Sequence, residues 1–201
     1  MASYADPLCS DLCCSNELTD IPHLCRLSAI GSNMTLEPWL RSPLPDIADE
    51  LQPVAAMFIA AKEDIIRAVD GLEHAELWTR VNGAASIGFH MIHLAGATDR
   101  LMSYAEGEPL TDAQKADLAA ERDADEQRPL LDVLTEKLEH ALDHAVKRLE
   151  GITSDDLATA RELGRAKVPT TMRALILHTG EHASRHAGQI VTTSKFVRHH
   201  D

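Results

Sequence analysis

In the run Met172-Arg-Ala-Leu-Ile-Leu-His-Thr-Gly-Glu-His-Ala-Ser-Arg-His-Ala-Gly-Gln-Ile-Val191, apolar and small residues return every three or four positions. Met172, Leu175, Ile176, Thr179, Ala183, Ile190 and Val191 thereby mark one face of an α-helix. His182 and His186 interrupt that face four residues apart. A step of four turns a helix by only about 40°, so the two imidazoles sit one above the other. Such a pair can converge on one metal ion, as in metalloprotease helices, although no His-Glu-x-x-His is present to bring the protease chemistry. His178 lies one further step of four upstream.

The same helical period runs through the chain ahead of this segment. From Asp46 to Asp70, Ile47, Leu51, Val54, Met57, Phe58, Ile65 and Val69 predict an amphipathic helix ended by Gly71. Glu76 to Gly83 reads as a connection, with a turn at Asn82-Gly83. A second long helix is expected from Ala84 or Ser86 through Ile87, His90, Met91, His93, Leu94, Ala97, Leu101 and Tyr104, stopped by Gly107 and Pro109. Thr111 to Asp125 reads as a short charged helix, and Pro129 opens a third long helix that runs to Gly151. Residues 152–168 read as a mixed connection with one helical turn at Ser154–Leu157, and Pro169 and Thr170 precede the last helix. The fold class that follows is all-α: an antiparallel four-helix bundle over about residues 46–194, with a short extra helix between its second and third helices and no sheet.

Residues 1–33 have neither helical nor strand periodicity and are expected to form a poorly ordered extension ahead of a bundle domain over 34–201. All four cysteines, Cys9, Cys13, Cys14 and Cys25, fall there, so no disulfide framework staples the bundle. Their spacing, even with His23, matches no paired C-x2-C zinc pattern, and they read as incidental thiols.

The chain has 201 residues, 44 % hydrophobic but only 3 % aromatic, so its core is aliphatic and its composition that of a soluble globular protein. Thirty-two acidic against 19 basic residues give a formal charge of −13, which argues against nucleic acid as a partner. No apolar run approaches the roughly 18–20 residues that span a bilayer, and no secretory signal is visible. The expected location is the cytoplasm, with no membrane partner.

Eleven histidines are an excess, and their positions sort them. His90 and His93 lie on an otherwise apolar helix face, so either could join His182 and His186 to give three nitrogen ligands with an open position for water or substrate. Three imidazoles suit Zn²⁺, Ni²⁺ or Fe²⁺ alike. An unperturbed histidine pKa near 6.5 would set the pH below which affinity falls. By the usual behaviour of a histidine on an apolar helix face, His90 and His178 are expected to pack or support. His23, His74, His140, His144, His199 and His200 are expected to face solvent. Arg80, Arg100, Arg173 and Arg185 read as ordinary surface charges before they read as anchors for an acidic cosubstrate, and Glu181 as a solvated helix residue before a base.

The string Ser86-Ile-Gly-Phe-His-Met-Ile-His-Leu-Ala-Gly-Ala-Thr-Asp-Arg-Leu101, taken with Glu181-His-Ala-Ser-Arg-His-Ala-Gly-Gln189, resembles the DinB-like family of metal-binding four-helix bundles over roughly residues 35–196. That family carries one histidine on its second helix and a His-x3-His followed by x-Gly-Gln on its last. The resemblance therefore implies a metal triad of His93, His182 and His186, and leaves His90 outside the motif. It further implies a homodimer, a small-molecule substrate, and a divalent-metal-dependent transferase or isomerase using a low-molecular-weight thiol such as bacillithiol, mycothiol or glutathione. A non-catalytic, stress-related metal-binding dimer is the alternative, since many members have no assigned reaction. The bundle has no cysteine of its own, which makes an external thiol the natural nucleophile.

Overall fold

The structure, a computed structural model, describes residues 36–198; the extension over 1–33 with its cysteines, and His199 and His200, lie outside them. Four long helices build the body: α1 (Gln52–Val69), α3 (Ile87–Glu106), α6 (Leu131–Lys147) and α7 (Met172–Val197). Between them come α2 (His74–Leu77), α4 (Asp112–Ala120) and α5 (Ala124–Gln127). Both α6 and α7 pack against α1 and α3, so α1 faces α3, and α6 faces α7, across the diagonals of a square. The antiparallel bundle expected from the period is the observed architecture, with α4 and α5 as the charged insert.

The helix limits have local causes. Pro53 in the first turn of α1 needs no N–H partner there. Ser86 caps α3 by accepting from the Phe89 N–H, and Thr171 caps α7 by accepting from the Ala174 N–H. Gly107, at φ 86°, ends α3 in the left-handed conformation that glycine adopts without strain. The third long helix starts at Leu131 rather than at Pro129, whose carbonyl accepts a 3.3 Å hydrogen bond from Trp78 Nε1.

The expectation of no sheet fails. Ala160–Leu163 (β1) and Val168–Thr171 (β2) form an antiparallel hairpin, in register from Ala160↔Thr171 to Leu163↔Val168. The chain turns through Gly164 (φ 66°) and Lys167 (φ 50°). Pro169 is tolerated because a two-stranded ribbon consists of edges, so it lies within a strand instead of introducing the last helix. The Met172 N–H donates to the Thr159 carbonyl at 3.0 Å, which joins the hairpin base to the first residue of α7.

The core follows the apolar faces: Phe58 and Ile65 from α1, Met91 and Leu94 from α3, Leu138 and Leu142 from α6, and Ile176 and Ile190 from α7 are all buried. Small residues set how closely the elements approach. A Cβ on Gly180 would meet Val54 Cγ1 and Met57 Sδ of α1 at 3.0 Å, and one on Gly88 would stand 2.7 Å from the Trp78 ring. No described helix is long and apolar enough to cross a membrane.

Gly88→Ala should therefore destabilise the protein by about 1–3 kcal/mol, the cost of overpacking a filled site. Gly188→Ala is the control: it is exposed on α7 with nothing within 4 Å of an added Cβ, and should stabilise by about 0.5–1 kcal/mol. Urea unfolding of both variants reads the difference, and equal midpoints would contradict the packing argument.

Candidate metal centre

The α3–α7 contact brings four imidazoles together. Ring centroids lie 4.4 Å apart for His182 and His186, 4.9 Å for His93 and His186, 5.2 Å for His93 and His182, and 5.1 Å for His90 and His186. One nitrogen from each of His93, His182 and His186 falls within 4.8 Å of the others, a group that could hold a divalent ion. These three side chains are partly buried, whereas His90 is buried.

Each ring has a distinct environment. His93 Nδ1 lies 3.0 Å from Glu121 Oε2, and Phe89 stacks parallel to the ring at 5.8 Å. Donation from Nδ1–H to the carboxylate leaves the Nε2 lone pair for a ligand, the arrangement usual for metal-binding histidines. Glu121 in turn accepts a 2.6 Å hydrogen bond from Arg100 Nη1. Burial alone would raise the Glu121 pKa, but the His93 and Arg100 hydrogen bonds outweigh it and hold the carboxyl below its ordinary value. His186 Nδ1 and His90 Nδ1 are 3.0 Å apart, so one ring donates and the other accepts. His182 Nδ1 is buried without a hydrogen-bond partner among the described residues.

Burial, reinforced by the neighbouring rings, pushes His182 down to about 4 and His186 down to about 3. Burial and then the charge of His93 lower His90 as well. His182 and His186 are thus neutral across the physiological range, with lone pairs available. Sequence alone placed the loss of affinity near an unperturbed histidine pKa; in the structure crowding and desolvation disfavour the protonated forms of His182 and His186, so these two rings keep their lone pairs well below that pH.

The donor set fits a metal. It contains neutral imidazoles from two rigid helices, one oriented by a buried carboxylate, and a buried ring nitrogen that otherwise lacks a partner. Leaving such a nitrogen unsatisfied costs about 1–3 kcal/mol.

Other expected positions sort plainly. His74, His140 and His144 are exposed as expected; His178, expected to pack, is exposed as well, bonded at 3.2 Å to Glu181, which also holds Arg185. Arg80, Arg173 and Arg185 are surface charges as expected, and Arg80 reaches Asp125. Arg100 is not: it is only 7 % exposed. It lies seven residues, nearly two turns, beyond His93 on the same apolar face, and that placement was the available signal. Glu121 was missed altogether. It stands in a run crowded with other carboxylates, and nothing in its spacing separates the one that turns inward.

Between about pH 6.5 and 4 an unfolded chain protonates His182 and His186, whereas the folded, metal-stripped protein does not. Its melting temperature should be full above pH 6.5 and fall steadily on acidification toward pH 4. Calorimetry of the chelator-treated protein tests this, and a His182→Gln, His186→Gln double variant should flatten the slope. An unchanged slope in that variant would contradict the assigned shifts.

Comparison with protein families matches residues 57–190 to the DinB superfamily. No curated protein sequence matches the chain. The matched region runs from within α1 to within α7 and takes in all four clustered histidines, so this chain belongs to the DinB superfamily.

Proposed function

We propose that His93, His182 and His186 hold one divalent ion, zinc, nickel or iron(II), and that the centre serves a transferase or isomerase reaction on a small molecule using a low-molecular-weight thiol. The observation that supports it most is the convergence of three imidazoles with Glu121 behind His93. When bound at such a set, the ion supplies a Lewis acid that lowers the pKa of a thiol to neutral pH.

The chain's own residues do the rest. Glu121 keeps the His93 proton on Nδ1, so that Nε2 faces the cluster as a base. Arg100 keeps Glu121 ionised against its burial. His90 occupies one nitrogen of His186 and limits the rotation of that ring. The bundle offers no cysteine among residues 36–198, which is why the thiol is external. The assembly we propose is a homodimer, with the exposed Leu36, Trp39 and Leu40 as apolar surface suited to a second copy. Sedimentation at micromolar concentration should give the dimer; monomer alone would contradict it.

Metal analysis of the purified protein should find about one ion per chain. His93→Ala, His182→Ala and His186→Ala should each abolish stoichiometric metal, while His90→Ala and His178→Ala weaken it less. Bacillithiol, mycothiol and glutathione, each tested against monobromobimane, should include one whose conjugation is accelerated and loses that acceleration on chelation. Metal binding without acceleration by any thiol would favour a non-catalytic metal-binding role. Parent-like metal content in all five variants would remove the site from these residues.

A further inference from the structure

A cavity of about 290 Å³ opens between α3, α4 and α6, and none of the triad histidines lines it. Arg100 lines it, and Arg100 is the one cation there whose charge is almost wholly withdrawn from solvent, with its side chain 9 % exposed. Of its three donor nitrogens only Nη1 is engaged, by Glu121; among the described residues Nε and Nη2 have no acceptor. The guanidinium lies over Gly96, where a Cβ would stand 2.7 Å from Nη1, so the close fit depends on that glycine.

The other polar groups of the cavity show the sign of what it takes. Both carboxylates are already served: Asp99 by Arg148 at 3.0 Å and Gln114 Nε2 at 2.6 Å, and Asp117 by Lys137 at 2.9 Å. Each carboxylate thus has a donor of its own, whereas Arg100 keeps two donor nitrogens free. Ala95 and Ala141 supply apolar wall, and His140 and His144, stacked at 5.9 Å on α6, form the rim.

We propose that this cavity binds a small monocarboxylate, its carboxylate on Arg100 and its apolar part against Ala95 and Ala141. A planar guanidinium with two free donors matches a carboxylate in a charge-assisted, two-point contact. Glu121, Asp99 and Asp117 stand close by, and their charge disfavours a doubly charged anion such as phosphate. The volume is at the small end of ligand pockets, which suits an acid of a few carbons or one ring. This site does not rest on the metal.

The test is titration calorimetry of the full chain with benzoate and butyrate, before and after metal removal by a chelator. Saturable binding that survives chelation is expected, at least about tenfold weaker in Arg100→Lys, which keeps a charge beside Glu121 but loses the fork. Ala141→Leu fills the cavity from α6 without altering Glu121, Arg100 or the triad histidines, and should weaken binding similarly while leaving thermal unfolding near the parent's. His182→Ala, which removes a triad nitrogen, should bind benzoate like the parent. Binding that disappears on chelation, or that neither Arg100→Lys nor Ala141→Leu weakens, would overturn the assignment. So would inorganic phosphate binding more tightly than either acid.

Discussion

A carboxylate in a protein interior persists as an ion only if donors surround it, and Glu121 is such a group. Its two oxygens are divided between His93 and Arg100, both on α3. That pair of hydrogen bonds ties the turn after α4 to the middle of α3. Together with the bonds of Gln114 to Asp99 and of Asp117 to Lys137, it gives a charged insert that buries little apolar surface a defined place in the fold. The same carboxylate orients an imidazole on one side and leaves a guanidinium half-engaged on the other. Two chemically different sites therefore share one anion.

The cluster is assembled against local preference. Three imidazoles crowd around His186 with ring centroids 4.4 to 5.1 Å away, and burial holds the proton affinities of His182 and His186 far below that of a free histidine. An apolar replacement would pack there at lower cost. Rigid neighbours enforce the arrangement: Phe89 against His93, His90 against His186, and the close approach of α7 to α1 over Gly180. Stability is highest where the rings are neutral, the state in which they can also ligate. Acid therefore opposes folding and metal binding together.

The four long helices were legible because each repeats its apolar residues over many turns, and Phe58, Leu94, Leu138 and Ile176 all lie where the period puts them. The hairpin was not, since four-residue strands are too short to establish a period of two and Pro169 argues locally against a strand. His182 and His186 declare themselves by spacing. His90 and His93 do not separate on spacing alone, and the structure turns both toward α7, one to buttress His186 and one into the triad. Glu121 depends on a tertiary contact across 28 residues, which no local pattern encodes.

The hairpin that sequence did not reveal governs where α7 begins, since Met172 is bonded to Thr159 at the hairpin base. From there to His182 the chain is continuous helix. One residue inserted in this stretch would rotate everything after it by about 100° and carry both histidines off the α3 face. One inserted in the turn over 164–167 would only enlarge a surface loop. Length variation among relatives should therefore collect at the hairpin tip and stop abruptly at Met172, a boundary that gap positions in an alignment would reveal without any chemistry being measured.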